Sequence, residues 1–268
     1  MDWAPGYREL APPARFRGEL HCLWVSVMAA HGVAQVPVLP DACTDLIWQS
    51  DVGAYVAGPD TGPNPAQLPS PTVVVGVRFR PGTGGAALGL PLSELLDQRV
   101  DAADVPAVPV RRLPGSLAPA EALRRLSDIA AELVTERPPD RLVLEAARRL
   151  GRPGERADLL AEQLGISERQ LRRRCLAAVG YGPRMISRVL RFRRFLSRID
   201  AAGAAVDLAG LAAETGYADQ AHMTRESTRL GGLPPAALAR ERAAGRTRAE
   251  WRTRAEGRTR AGDTERRG

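Results

Sequence analysis

The apolar positions of this chain change their period near residue 118. Before it, short runs tend to alternate: FRGELHCLWVSVM, TDLIWQ, AYVAG and TVVVGVRF are rich in β-branched and aromatic residues. Proline- and glycine-dense turns such as GPDTGPNP and RPGTGG separate them. Many short strands with such turns predict an antiparallel barrel or sandwich. A short helix, PLSELLDQ, is expected next, and then DAADVPAVPVRRLPGS reads as a linker or loosely packed connection. From Ala118 the period becomes 3.6. Leu123, Leu126, Ile129, Ala130, Leu133 and Val134 form one stripe of a helix ending near Arg137–Pro138–Pro139. That stripe either packs inward or forms a dimer seam. A second helix, DRLVLEAARRL, starts with Asp140 as N-cap and stops at Gly151.

Two similar patterns follow. Asp158–Leu164 predicts a short helix that Gly165 ends in a left-handed conformation, with Ile166 plugging the core. Ser167 and Gln170 form a capping box for the next helix, on which Leu171 and Cys175 share the inward face. Arg169, Arg172 and Arg173 fall together on the opposite face. DLAGLAAETGYADQAHMTRES repeats the plan: a short apolar helix, Gly216, Tyr217 as plug, Asp219 as cap and Met223 facing inward. Ala221, Thr224 and Arg225 then face outward. The two caps lie 52 residues apart, joined by GPRMISRVLRFRRFLSRI, in which Met185, Ile186, Val189, Phe192, Leu196 and Ile199 trace one face. A helix of about 16 residues spans roughly 24 Å. A rod of that length suits two recognition helices entering successive major grooves, about 34 Å apart.

Charge sharpens this picture. All 38 basic residues are arginine. Residues 1–150 hold 14 arginines against 17 carboxylates, a net of −3, whereas residues 151–268 hold 24 against 14, a net of +10. Such asymmetry points to a neutral or acidic module joined to one that binds a polyanion. An arginine stripe at i, i+3, i+4 near a helix N-terminus also matches the two acceptors of guanine, O6 and N7. GRTRAE, WRTRAE and GRTRAG, residues 245–262, form a near-repeat with almost no large apolar side chain, expected to be a disordered basic tail.

The segment LAEQLGISERQLRRRC…GYGPRMISRVLRFRRFL…DLAGLAAETGYADQAHMTRESTRLGGLPPAAL resembles the DNA-binding domain of the AraC/XylS family, over about residues 155–240. The string GY-x-DQ-x-H-x-x-RE is the most specific part. LPDACTDLIW, VAGPDTGP and VGVRFRPGTGGAALGLPLSEL resemble an uncharacterised domain that occupies the sensor position ahead of such domains. The resemblance implies a one-component transcription regulator whose base-reading residues are Arg169, Arg172 and Arg173 in the first unit. In the second they are Gln220, Ala221, Thr224 and Arg225. Two departures stand out. The family usually places a large aromatic where this chain has Cys175 and Ser227, and threonines are common where it has Gly231 and Pro234. A serine in a phenylalanine-sized space predicts a cavity costing on the order of 3 kcal/mol and an unpaired hydroxyl.

The resulting expectation is an α+β multidomain protein. It has a β-rich, barrel- or sandwich-like sensor domain (1–105), a linker with connector helices (106–154), an all-α double helix–turn–helix domain (155–240) and an arginine-rich tail (241–268). Trp24, Trp48 and Phe79 are candidate aromatics of a ligand pocket, with buried core as the alternative role. His21, Cys22, Asp41, Cys43 and Asp45 are the residues an enzyme or metal site would recruit. His21 and Cys22 are adjacent, however, so on a strand they point to opposite faces. No phosphate loop, nucleophile elbow or HExxH motif appears, three cysteines without a C-x-x-C pair argue against a structural zinc site, and no enzyme, cofactor or metal is expected. Nor is a membrane, because no signal peptide or apolar run of about 20 residues is visible, which makes the expected compartment the cytoplasm. The expected partner is double-stranded DNA. RNA polymerase, a small-molecule effector and a second copy of the chain are further candidates. The alternative function is a degenerate regulator that binds DNA non-specifically or acts through protein partners.

Overall fold

The computed structural model describes residues 5–28, 33–36, 38–69, 71–202 and 207–243. The repeat tail lies outside the described residues. By its contacts the chain divides into two compact units, 1–193 and 194–268. The first holds the sheet, the helices that follow it and the first helix–turn–helix.

Among the described residues, eight strands form two sheets. β1 (Gly6–Leu10), β2 (Leu20–Val27), β4 (Thr44–Gln49), β5 (Gly53–Ala57), β7 (Val73–Phe79) and β8 (Arg99–Asp101) build a six-stranded antiparallel sheet in the order β1-β2-β7-β4-β5-β8. β3 (Val33–Val36) pairs with β6 (Ala66–Pro69) as a separate ribbon. The large sheet is not closed into a barrel, and a sandwich-like arrangement is the form compatible with it.

Alternation decides the two faces. Leu46, Trp48, Ala54, Val56, Val75, Val77 and Phe79 point to one face and join a single buried cluster. Ile47, Ala57, Val74, Cys22 and Trp24 point to the other, where Leu68 of β6 packs against them. α2 (Pro119–Glu136) covers the first face. Its whole stripe from Leu123 to Val134 is buried in the same cluster as Trp48 and Phe79. The stripe therefore packs inward, and α2 is a layer of the first domain rather than a connector.

The segment expected to be a linker differs in the same way. Ala102, Val105, Val108 and Leu113 are buried in that cluster, and the Trp48 indole Nε1 donates to the Pro114 carbonyl at 2.9 Å. Its apolar residues show no period because short 3-10 turns, Ala102–Asp104 and Val110–Arg112, replace any regular element. The helix expected at PLSELLDQ is likewise one 3-10 turn, Leu92–Glu94.

After β7, α1 (Gly84–Leu88) follows, and α3 (Arg141–Leu150) comes after α2 with Asp140 accepting from the Leu142 amide at 2.9 Å as its cap. α4 (Leu160–Gln163), α5 (Glu168–Val179) and α6 (Pro183–Ala202) continue the chain, the division into units falling inside α6. The second unit adds α7 (Leu208–Thr215) and α8 (Gln220–Gly231). Among the described residues no helix is long and apolar enough to cross a membrane.

Leu126 is fully buried between α2 and the sheet. Leu126→Ala is expected to lower the stability of the first unit by about 2–5 kcal/mol in urea denaturation. A change within about 0.5 kcal/mol, as at an exposed seam, is the opposing result.

Candidate functional site

The first helix–turn–helix is built as its sequence demands. Gly165 takes φ +69° after α4, a conformation that any side chain would strain, and Ile166 is half-buried. Ser167 Oγ accepts from the Gln170 amide at 3.2 Å while Gln170 Oε1 accepts from the Ser167 amide at 2.9 Å, completing the capping box. Leu171, Cys175, Ala178 and Val179 face inward. Burial raises the Cys175 thiol to about 12, which keeps it protonated and inert at neutral pH.

The outward face of α5 carries Arg169, Arg172 and Arg173, all exposed. Among the described residues none of the three engages a carboxylate. Their neighbour Arg174 does, holding Asp140 at 2.6 Å and so tying α5 to the cap of α3. The three unpaired guanidiniums and Arg184 line one groove between α5 and the start of α6. This is an electropositive surface at the first turns of a capped helix, with donors suited to phosphates and base edges.

The opposite end of α5 packs on the β-rich module. A Cβ on Gly85 of α1 would lie 2.4 Å from the Ala177 carbonyl oxygen, so only glycine allows this approach. At the C-cap, a Cβ on Gly180 would meet the Pro59 ring at 2.6 Å. Beyond it, the Tyr181 ring is buried and, among the described residues, its hydroxyl has no hydrogen-bond partner.

In the second unit Asp207 caps α7, accepting from Ala209 at 3.0 Å, and Gly216 turns the chain at φ +85°. Tyr217 is buried, edge-on to Phe195 and to His222. Asp219 caps α8 by accepting from the His222 amide at 2.6 Å. Met223 faces inward, whereas Gln220, Ala221 and Arg225 are exposed. Thr224 is half-buried, and its hydroxyl donates to the Gln220 carbonyl at 2.9 Å. Ser227 is fully buried and, among the described residues, its Oγ has no hydrogen-bond partner.

Two domain models match the chain: "Domain of unknown function (DUF6597)" over residues 8–101 and "Helix-turn-helix domain" over residues 160–241. Residues 160–241 are an AraC-type helix–turn–helix domain. This supports a DNA-binding transcription regulator, a class generally without enzymatic activity. None of the curated proteins compared with the chain matches it. The chain is similar to solved structures of ToxT from Vibrio cholerae. One, at 1.65 Å resolution, has 9% identity and a TM-score of 0.43, covering 87% of this chain and 98% of that one. Another, of ToxT with an unsaturated fatty acid bound, has 10% identity and a TM-score of 0.41, covering 80% and 93%.

The other sequence candidates are scattered. Trp48 and Phe79 are fully buried on the inner face of the sheet, whereas Trp24 lies on the outer face over Gly76. His21 and Cys22, expected on opposite faces, are together. β2 carries a bulge there, because Leu20 pairs with Phe79 and Cys22 with Arg78, which leaves His21 as an extra residue. Sequence periodicity has no signal for such a bulge except one. Leu20 and Leu23 are both apolar and three apart, and both pack on the inner cluster. Asp41, Cys43 and Asp45 gather around Arg78, which grips Asp45 through Nε at 3.0 Å and lies 3.4 Å from Asp41. Burial raises Cys22 to about 12 and lowers His21 below its usual value, and nearby arginines lower His21 further. A thiolate–imidazolium pair is thereby disfavoured at neutral pH, which counts against a cysteine nucleophile.

Replacing Ser227 by alanine removes a buried hydroxyl without a partner and raises helix propensity. Ser227→Ala is expected to stabilise the second unit by about 1 kcal/mol in thermal unfolding followed by circular dichroism. A loss of stability would show that the hydroxyl finds a partner in solution.

Proposed function

We propose that this protein is a sequence-specific transcription regulator whose α5 and α8 enter successive major grooves of double-stranded DNA. Arg169, Arg172 and Arg173 read base edges from α5, and Gln220, Ala221, Thr224 and Arg225 do so from α8. The observation that carries this reading is the capped α5, with three exposed guanidiniums that, among the described residues, no carboxylate neutralises. An arginine with no internal partner keeps its full charge for a polyanion.

We further propose that the β-rich module modulates this binding, through an effector or a partner. The contact of Gly85 with the Ala177 carbonyl supports it, because displacing α1 displaces the C-terminal turn of α5. RNA polymerase and a second copy of the chain are the proposed protein partners.

The test is selection of binding sites from random duplex DNA with the full chain, followed by affinity measurements on the recovered site. Arg169→Ala or Arg172→Ala is expected to relax base preference at one or two positions, at roughly 1–3 kcal/mol per lost bidentate contact. A uniform loss over all sequences would instead establish non-specific phosphate binding. No enrichment at all would point to a regulator acting through protein partners.

Coupling between the modules has its own test. Gly85→Ala leaves every base-reading residue intact, and a change in affinity for the selected site is expected in fluorescence anisotropy. Unchanged affinity in a folded variant would remove the proposed coupling.

A further inference from the structure

The bulge in β2 brings three metal-binding side chains to one place. One potential ligand atom each of Glu9, His21 and Cys22 lies within 4.8 Å of the others. We propose that these three residues bind a divalent transition-metal ion of borderline softness, Zn²⁺ being the natural occupant.

The register explains the gathering. Leu23 and Val27 pack with Val25 against the inner cluster, whereas Cys22 and Trp24 belong to the outer one. Leu20, an even number of positions from Cys22, is nevertheless an inner residue. The bulge absorbs the misfit by setting His21 and Cys22 together opposite Arg78. On the neighbouring strand Glu9 pairs with Trp24, which puts its carboxylate on the same outer face.

The donor set fits such an ion. Imidazole nitrogen, thiolate sulfur and carboxylate oxygen are the ligands zinc takes, and together they disfavour magnesium or calcium. A tetrahedral zinc ion holds its ligands roughly 3.3–3.6 Å apart, given bonds of about 2.0–2.3 Å. The three ligand atoms, within 4.8 Å of one another, have little more than 1 Å to close to reach that spacing. Cys22 is buried, His21 half-buried and Glu9 exposed, so the fourth position opens to water. Three protein ligands with an open position mark an exchangeable or reactive site rather than a closed structural one.

Surrounding groups hold Glu9 in place. The Tyr7 hydroxyl donates to Glu9 Oε1 at 2.8 Å, and Arg78 approaches the same oxygen at 3.8 Å, so both contacts fall on Oε1 rather than Oε2. The cationic neighbours are matched. Arg78 is paired with Asp45 and Asp41, and Arg193 lies 3.8 Å from Asp41, while Arg80 donates to the Arg17 carbonyl. With Cys22 as thiolate, Glu9, Asp41, Asp45 and Cys22 outnumber these three guanidiniums, leaving a net negative site.

The site does not depend on DNA binding, and it is tested without DNA. The reduced, metal-free full chain is titrated with Co²⁺, which reports a cysteine ligand by a thiolate-to-cobalt charge-transfer band in the near ultraviolet. One equivalent is expected to produce the band, and Zn²⁺ to abolish it by competition. The band should vanish in Cys22→Ala and Cys22→Ser but persist in Cys43→Ala and Cys175→Ala. His21→Ala and Glu9→Gln, nearer the surface, should each weaken Co²⁺ binding about tenfold or more. No band, a band that survives loss of the Cys22 thiol, or an affinity indifferent to both His21→Ala and Glu9→Gln would overturn the proposal.

Discussion

The first unit depends on the burial of one helix stripe. Leu123, Leu126, Ile129, Ala130, Leu133 and Val134 of α2 close the inner face of the sheet, which otherwise leaves Leu46, Trp48, Val75, Val77 and Phe79 in water. Full burial of each large apolar side chain contributes about 1.5–3 kcal/mol. That layer also sets the position of α1, whose Leu88 belongs to the same cluster, and α1 in turn abuts α5 at Gly85. The place of α5 in its unit thus traces back to hydrophobic packing around the sheet.

What the sequence shows clearly is what local chemistry decides. The caps at Ser167, Asp140 and Asp219, the turns at Gly165 and Gly216, and the outward faces of α5 and α8 all follow from residues within a few positions of each other. What it hides is decided by distant partners. Val105, Val108 and Leu113 carry no period, because they pack into the cluster of α2 and the sheet from irregular segments beside two short 3-10 turns. The stripe on α2 is visible as a stripe, but its partner is named only by the strands it covers. The bulge at His21 is a property of pairing with β7, so adjacency in β2 alone misplaces Cys22.

The two helix–turn–helix units share a plan but not a charge. α5 offers three guanidiniums that are unpaired among the described residues, whereas the corresponding face of α8 offers Arg225 beside the neutral Gln220, Ala221 and Thr224. On the proposed reading, the first unit supplies most of the electrostatic attraction. The second supplies hydrogen bonds and apolar contact, which are more demanding of geometry. Ser227 is fully buried in that more demanding unit and, among the described residues, its hydroxyl has no hydrogen-bond partner. The two units therefore tolerate error unequally.

The bulge in β2 has an arithmetic consequence. Without His21, Leu20 would precede Cys22 directly, and Leu20, Leu23, Val25 and Val27 would still face the core while Cys22 and Trp24 kept the other side. A single-codon deletion would thus return the strand to perfect alternation with the same residues facing the interior. The core face of the strand makes no use of the extra residue, whose side chain belongs to the Glu9–His21–Cys22 cluster. Its gain or loss is the smallest genetic step by which this scaffold acquires or sheds its Glu–His–Cys cluster while remaining otherwise the same molecule.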